Sequence, residues 1–300
     1  MDRDPDLFPG FASHWIDTRA GRIFARSGGE GPPLVLLHGF PQSLVMWRDV
    51  APVLAKSFHV VVMDLRGYGW SSVPTSRGGE AYTKRAMGAD VVAVMEKLGH
   101  VRFHLAGHDR GARVGYRLAL DQPGRIDKLA LLDILPTVQV WKNIKAGVTP
   151  AAHWAFLSEP EPQPEEAIRA QGPDVYFESL LTKWSKSGAL SAFGAEALQA
   201  YRNAWGDTSR IHAFCEDYRA GAVQDLALDE ADLGVGRTIA APVHVLWGDF
   251  YLTASAGSPL DVWHKTFAPK ATGQAIDSGH FLAEENAEAT AQALVEFFSS

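Results

Sequence analysis

Three hundred residues, 46% of them hydrophobic, supply enough apolar side chain for a substantial core and exclude a disordered or fibrous chain. A formal charge of −7 with scattered basic residues lacks the footprint of a nucleic-acid binder, so a small-molecule partner is expected and nucleic acid is not. Cys215 is the single cysteine, which rules out an intrachain disulfide framework and suits a reducing compartment. The stretch Met1-Asp2-Arg3-Asp4-Pro5-Asp6 is acidic and unlike a signal peptide, and no apolar run approaches the roughly 20 residues of a membrane span. These features lead to the expectation of a soluble, cytoplasmic protein without membrane association.

In chain order, Phe11 to Ser27 reads as two short strands around the turn Thr18-Arg19-Ala20-Gly21, followed by a Gly/Pro-rich connection from Gly28 to Pro33. Short apolar runs then recur at Leu34 to Leu37, Val60 to Met63, Phe103 to Ala106, Leu129 to Leu132 and Val243 to Trp247. Such runs fit strands buried on both faces of a parallel sheet. Helical patterns at Tyr82 to Leu98 and Ala112 to Leu120 separate some of them, and Ala283 to Phe298 closes the chain. The alternation predicts a wound α/β sheet. It breaks between Leu135 and about Asp225, where aromatic and alanine residues recur at helical spacing. The expected organisation is a core of residues 1–135 and 226–300 interrupted by a helical cap over 136–225.

Directly after the strand ending at Ala106 comes Gly107-His108-Asp109-Arg110-Gly111 and then a helix. Small residues on both sides of a central nucleophile suit a sharp strand-to-helix elbow. Its centre here is Asp109, already ionised at neutral pH, so its natural target is an sp³ carbon bearing a leaving group or in a strained ring. His38-Gly39-Phe40-Pro41 follows an earlier strand where an oxyanion loop is expected, and the N–H groups of Phe40 and Arg110 are candidates to stabilise charge on the Asp109 carbonyl. Of 11 histidines, His280 stands out, preceded by Gly279 on a loop before the last helix, and is the expected general base. Two acids compete to orient it, Asp133 after one strand and Asp249 after another; Asp133 is preferred.

These motifs, with Asp64-Leu65-Arg66-Gly67-Tyr68-Gly69, resemble the α/β-hydrolases and, within them, the haloacetate dehalogenases, especially those acting on fluoroacetate. The resemblance spans essentially the whole chain. It implies an α/β-hydrolase fold, a mostly parallel sheet flanked by helices with an inserted helical cap, hydrolysis of 2-haloacids through a covalent aspartyl ester, no metal or organic cofactor, and a homodimer. Arg110 and Arg113 beside an anionic nucleophile suit a substrate with its own carboxylate; the plainer alternative makes Arg113 a surface residue paired with Asp121 or Glu96. By resemblance, His153, Trp154 and Tyr218 receive the departing halide, and Trp184 lines the pocket. Phe250 and Tyr251 add bulk that could reshape that pocket. An epoxide hydrolase would use the same Asp109 and His280 with cap tyrosines such as Tyr176, Tyr201 or Tyr218 as proton donors. A non-catalytic receptor on the same fold is the remaining alternative, and it predicts damage to a catalytic set that is here intact.

Overall fold

The computed structural model describes residues 6–147, 152–252 and 258–300. Eight strands form one sheet: β1 (Ala12–Thr18), β2 (Gly21–Gly28), β3 (Pro33–Leu37), β4 (His59–Met63), β5 (Phe103–His108), β6 (Ile126–Leu132), β7 (Val243–Gly248) and β8 (Thr272–Ile276). Their spatial order is β1-β2-β4-β3-β5-β6-β7-β8. The hairpin β1-β2 is antiparallel and β2 joins β4 antiparallel; every later pairing is parallel. Leu34 to Leu37 and Val60 to Met63 are fully buried, as strands covered by helices on both faces must be. One apolar cluster lies on each side of the sheet: Val35, Leu37, Val61 and Met63 point to one, and Leu34, Leu36, Val60 and Val62 to the other.

The expected strands and helices form with boundaries shifted by a few residues. The helix expected from Tyr82 begins at Lys84, because the Thr83 side chain accepts the Ala86 N–H and caps it there. The closing helix is two: Leu282–Glu285 and Ala287–Ser299, divided at Asn286, whose side chain accepts the Ala289 N–H. The edge strand β8 was not expected, since Thr-Gly-Gln-Ala-Ile is half exposed and lacks an apolar run.

Between β6 and β7 the described chain is helical, without a strand. We take residues 136–225 as the cap. The boundary at 225/226 falls inside the helix Gln224–Gly234, which packs on the core helix Arg110–Asp121: Tyr116 donates to Asp229 at 2.8 Å, and Arg117 pairs with Asp232.

The elbow between β5 and the helix Arg110–Asp121 depends on missing side chains. A Cβ on Gly107 would lie 2.6 Å from the Ala112 nitrogen, and one on Gly111 would lie 2.5 Å from the His38 carbonyl oxygen. Both obstacles are backbone. Gly111→Ala is therefore expected to destabilise the fold by ~1–3 kcal/mol, the range of an overpacked core. An unchanged urea midpoint would refute that expectation.

Candidate active site

Asp109 sits at the elbow with φ 43° and ψ −111°. Its N–H donates to the Leu132 carbonyl at 3.2 Å, and its own carbonyl accepts the Arg113 N–H at 3.1 Å, so neighbouring strand and following helix both hold the turn. The Phe40 N–H donates to Asp109 Oδ1 at 2.9 Å. Gly39 permits this approach, since a Cβ there would meet the Asp109 Cβ at 2.5 Å. Burial pushes the Asp109 carboxyl up, but His280, Arg110 and Arg113 outweigh it and hold the group below the usual carboxylate range. The side chain is thus an anion at neutral pH.

His280 lies on the loop after β8, its N–H donated to the Trp184 carbonyl at 2.9 Å. Its Nδ1 is 2.5 Å from Asp133 Oδ2, and Asp133 Oδ1 accepts the Gly248 N–H at 2.9 Å. Asp133 itself sits at φ 54°, the turn that aims its carboxylate back across the strand ends. Asp249, the competing acid, instead pairs with Lys186 at 2.8 Å in a largely exposed position. Burial alone would lower the His280 imidazole; the hydrogen bond and charge of Asp133, with Asp109 adding, raise it above its ordinary value.

Both arginines are buried inside the site. Arg110 donates to the Asp217 carbonyl at 2.7 Å and to its Oδ1 at 2.6 Å, and its guanidinium lies 4.2 Å from the Tyr218 ring centroid. Its Nε and Nη1 have no partner. Arg113 donates Nη1 to the Leu135 carbonyl at 3.0 Å and to the Thr137 hydroxyl at 3.2 Å, stacks 4.4 Å over Trp154, and leaves its Nε unpartnered. It is not the surface residue of the plainer alternative: Asp121 pairs with Arg85 and Arg117, and Glu96 with Arg125. Among the described residues no carboxylate forms an ion pair with Arg113. Burial and the charge of Arg110 hold its pKa below the usual arginine value.

The cap residues converge on the same place. The His153 ring lies 4.5 Å from Trp184 and 5.8 Å from Tyr218, and Trp154 meets Tyr218 edge-on at 5.6 Å. Tyr218 and Phe40 rings are 5.1 Å apart, and Trp184 and His280 rings 5.6 Å apart. Burial pushes His153 down to about 3 and, with the Asp109 charge, lifts the Tyr218 hydroxyl well above its ordinary range, so both are neutral donors at physiological pH. No partner among the described residues takes the Tyr218 hydroxyl, the Trp154 indole N–H or the His153 imidazole.

Two neighbours escaped the sequence reading of the site. Asp217, one residue before Tyr218, is fully buried; it accepts the Tyr68 hydroxyl at 2.7 Å and pairs with Lys84 as well as Arg110. An acid inside a helix gives no sequence signal of a buried counter-ion. Tyr251, noted only for bulk, packs 4.8 Å from the His280 ring.

The Asp133 contact predicts a titration shift. In the Asp133→Asn variant the His280 imidazole should titrate at lower pH than in the wild type, followed by its ring-proton NMR signals; an unmoved midpoint would contradict the assignment. The sign also fixes the linkage. Because the folded pKa of His280 is raised, its contribution to stability is complete below the unfolded value of about 6.5 and is lost as pH rises through the folded value.

Comparison with known proteins adds a family to this geometry. Residues 32–287 match the model of the alpha/beta hydrolase fold. The chain is 43% identical to a fluoroacetate dehalogenase of Burkholderia sp over 98% of its own length and 95% of the relative's. It is 29% identical to a soluble epoxide hydrolase of Corynebacterium sp. (strain C12), over 93% and 94% of the two chains. A solved α/β-hydrolase structure from Nostoc sp PCC 7120 superposes with a TM-score of 0.91 at 45% identity, covering 96% of this chain and 98% of that one. The chain therefore belongs to the α/β-hydrolase fold family.

Proposed function

We propose that this enzyme hydrolyses 2-haloacids such as fluoroacetate or chloroacetate to the 2-hydroxy acid and halide, through a covalent ester on Asp109. One observation carries the reading: Arg113 is a buried cation without a carboxylate partner, beside Arg110 with two unpartnered nitrogens. Asp109 offsets part of the Arg113 charge, but two adjacent buried guanidiniums with unpartnered N–H groups suit an anionic ligand, and a haloacid brings its own carboxylate. The 43% identity to a fluoroacetate dehalogenase supports the same substrate class.

In the proposed reaction, Arg110 and Arg113 hold the carboxylate so that the halogen-bearing carbon stands before Asp109. An Asp109 oxygen attacks that carbon, and the halide leaves with the bonding electron pair toward His153, Trp154 and Tyr218, neutral donors fixed where charge develops. Fluoride, a poor leaving group, benefits most from such donors. His280, oriented by Asp133, then takes a proton from water as the hydroxide adds to the Asp109 carbonyl. The carbonyl oxygen becomes negative under the Phe40 N–H, with the Arg110 N–H as a second candidate donor; collapse breaks the bond to the product oxygen, which takes the proton from His280 and leaves as the hydroxy acid, restoring the Asp109 carboxylate. Trp184 shapes the pocket beside His153 and His280. For fluoroacetate the product is glycolate. A homodimer in the cytoplasm accompanies this reading, and light scattering tests the dimer.

The competing epoxide hydrolysis draws on the relationship to the Corynebacterium enzyme and on the free Tyr218 hydroxyl. Of the other cap tyrosines, Tyr201 is already committed to Glu284. An epoxide, lacking a carboxylate, leaves the unpartnered N–H groups of Arg110 and Arg113 unmatched, which favours the haloacid.

A halide electrode separates the readings, because epoxide opening releases no halide. Halide release from chloroacetate or fluoroacetate is expected and should vanish in Asp109→Ala. His280→Ala should accumulate the Asp109 ester, visible by intact mass; an unmodified chain after halide release would exclude the covalent route. Arg113→Gln should raise KM for chloroacetate roughly 10- to 100-fold, the loss of one charge-assisted contact. An unchanged KM would remove Arg113 from the substrate clamp.

A further inference from the structure

The proposed reaction leaves one buried acid unused. Glu284 has a side chain with no solvent exposure and forms no hydrogen bond with either Asp109 or His280. Its carboxylate collects donors from three places: the Gln42 side-chain amide, Arg48, and the Tyr201 hydroxyl at 3.1 Å. Gln42 lies two residues past Phe40, in the loop whose N–H reaches Asp109 Oδ1. Tyr201 lies on the cap helix Ala195–Trp205, and Glu284 itself on the short helix that starts two residues after His280. A carboxylate taken out of water is costly unless well paired, so this one is committed to joining those elements.

Resting on the reaction proposed above, we infer that Glu284 is a positioning residue for ester hydrolysis: it braces the Phe40 loop against the segment carrying His280. The two halves of the reaction differ in what they ask of that loop. In displacement, negative charge leaves the Asp109 carboxylate, so Asp109 Oδ1 becomes a weaker acceptor for the Phe40 N–H. In hydrolysis, charge grows on the same oxygen, and a fixed donor there lowers the barrier. A loosened loop therefore slows the second half while sparing the first.

The loop's other anchors leave this role to Glu284. The Trp205 indole donates to the Pro41 carbonyl at 2.8 Å and His38 Nε2 accepts the Leu65 N–H at 3.0 Å, but neither ties the loop to the His280 segment. Burial pushes the Glu284 carboxyl up to about 7 against the opposing effect of Arg48, so a neutral side chain is tolerable there. In Glu284→Gln the new amide could also donate to Gln42 Oε1, which now has no partner.

The test is single-turnover and steady-state chloroacetate hydrolysis by wild type, Glu284→Gln and Tyr201→Phe, with halide and intact mass followed together. In Glu284→Gln, halide release in the first turnover should stay within about 3-fold of wild type. Steady-state turnover should fall about 10- to 100-fold, less than deletion of a whole oxyanion donor, and the ester on Asp109 should accumulate. Tyr201→Phe removes one brace contact and should show the same split at a few-fold, deciding the matter should the Gln variant not fold. Equal slowing of both halves, or wild-type turnover without ester, overturns the role of Glu284 alone. Wild type that releases no halide overturns the reaction and this inference together.

Discussion

The backbone conformation of Asp109 is the constraint on which the rest depends. A non-glycine residue at φ 43° and ψ −111° sits in sparsely populated space at a cost of about 1–3 kcal/mol, and the surroundings hold it there. Gly107 and Gly111 let strand, elbow helix and His38 loop close to within contact of bare backbone. The gain is placement: the carboxylate stands at the end of the central strand, under one amide donor and in the field of two guanidiniums. Asp133 repeats the device on the adjacent strand at φ 54°, and His280 lies beside both acids.

Charge balance explains the arrangement around that turn. Asp109, Asp217 and Asp225 are buried with Arg110, Arg113 and Lys84. Lys84 lies between Asp217 and Asp225, and Asp217 also holds Arg110. Arg113 is left facing Asp109 from the first turn of the same helix without a paired acid. The two arginines therefore differ: Arg110 is paired with Asp217 of the cap, and Arg113 has no ion-paired acid among the described residues.

Much of this was legible in the residues. Apolar runs fixed the central strands because parallel strands are buried on both faces, and β8 was invisible because an edge strand with Thr, Gly and Gln has no such run. The elbow could be read because Gly107, Asp109 and Gly111 are local requirements. Position after a strand leaves both Asp133 and Asp249 in reach of His280, and only the displacement of Asp249 from the place where similar proteins carry that acid favours Asp133, whereas Asp217 and Glu284 could not be found. Their meaning comes from partners far along the chain, Arg110 107 residues away and Gln42 242 residues away, and no local spacing encodes such a pairing. Arg113 shows the same limit, since its helical position alone allowed a surface ion pair.

The bond between Asp217 and Arg110 has a mechanical side. Asp217 belongs to the cap helix Thr208–Ala222, whereas Arg110, Tyr68 and Lys84 belong to the core, and Glu216 beside it accepts the Gly79 N–H at 2.8 Å. Lifting the helix at this corner would strand several charges in a dry interior, at a cost of several kcal/mol. That corner is a rivet: one buried carboxylate joins the cap helix to three separate core segments, so the position of Arg110 is set by cap and core together.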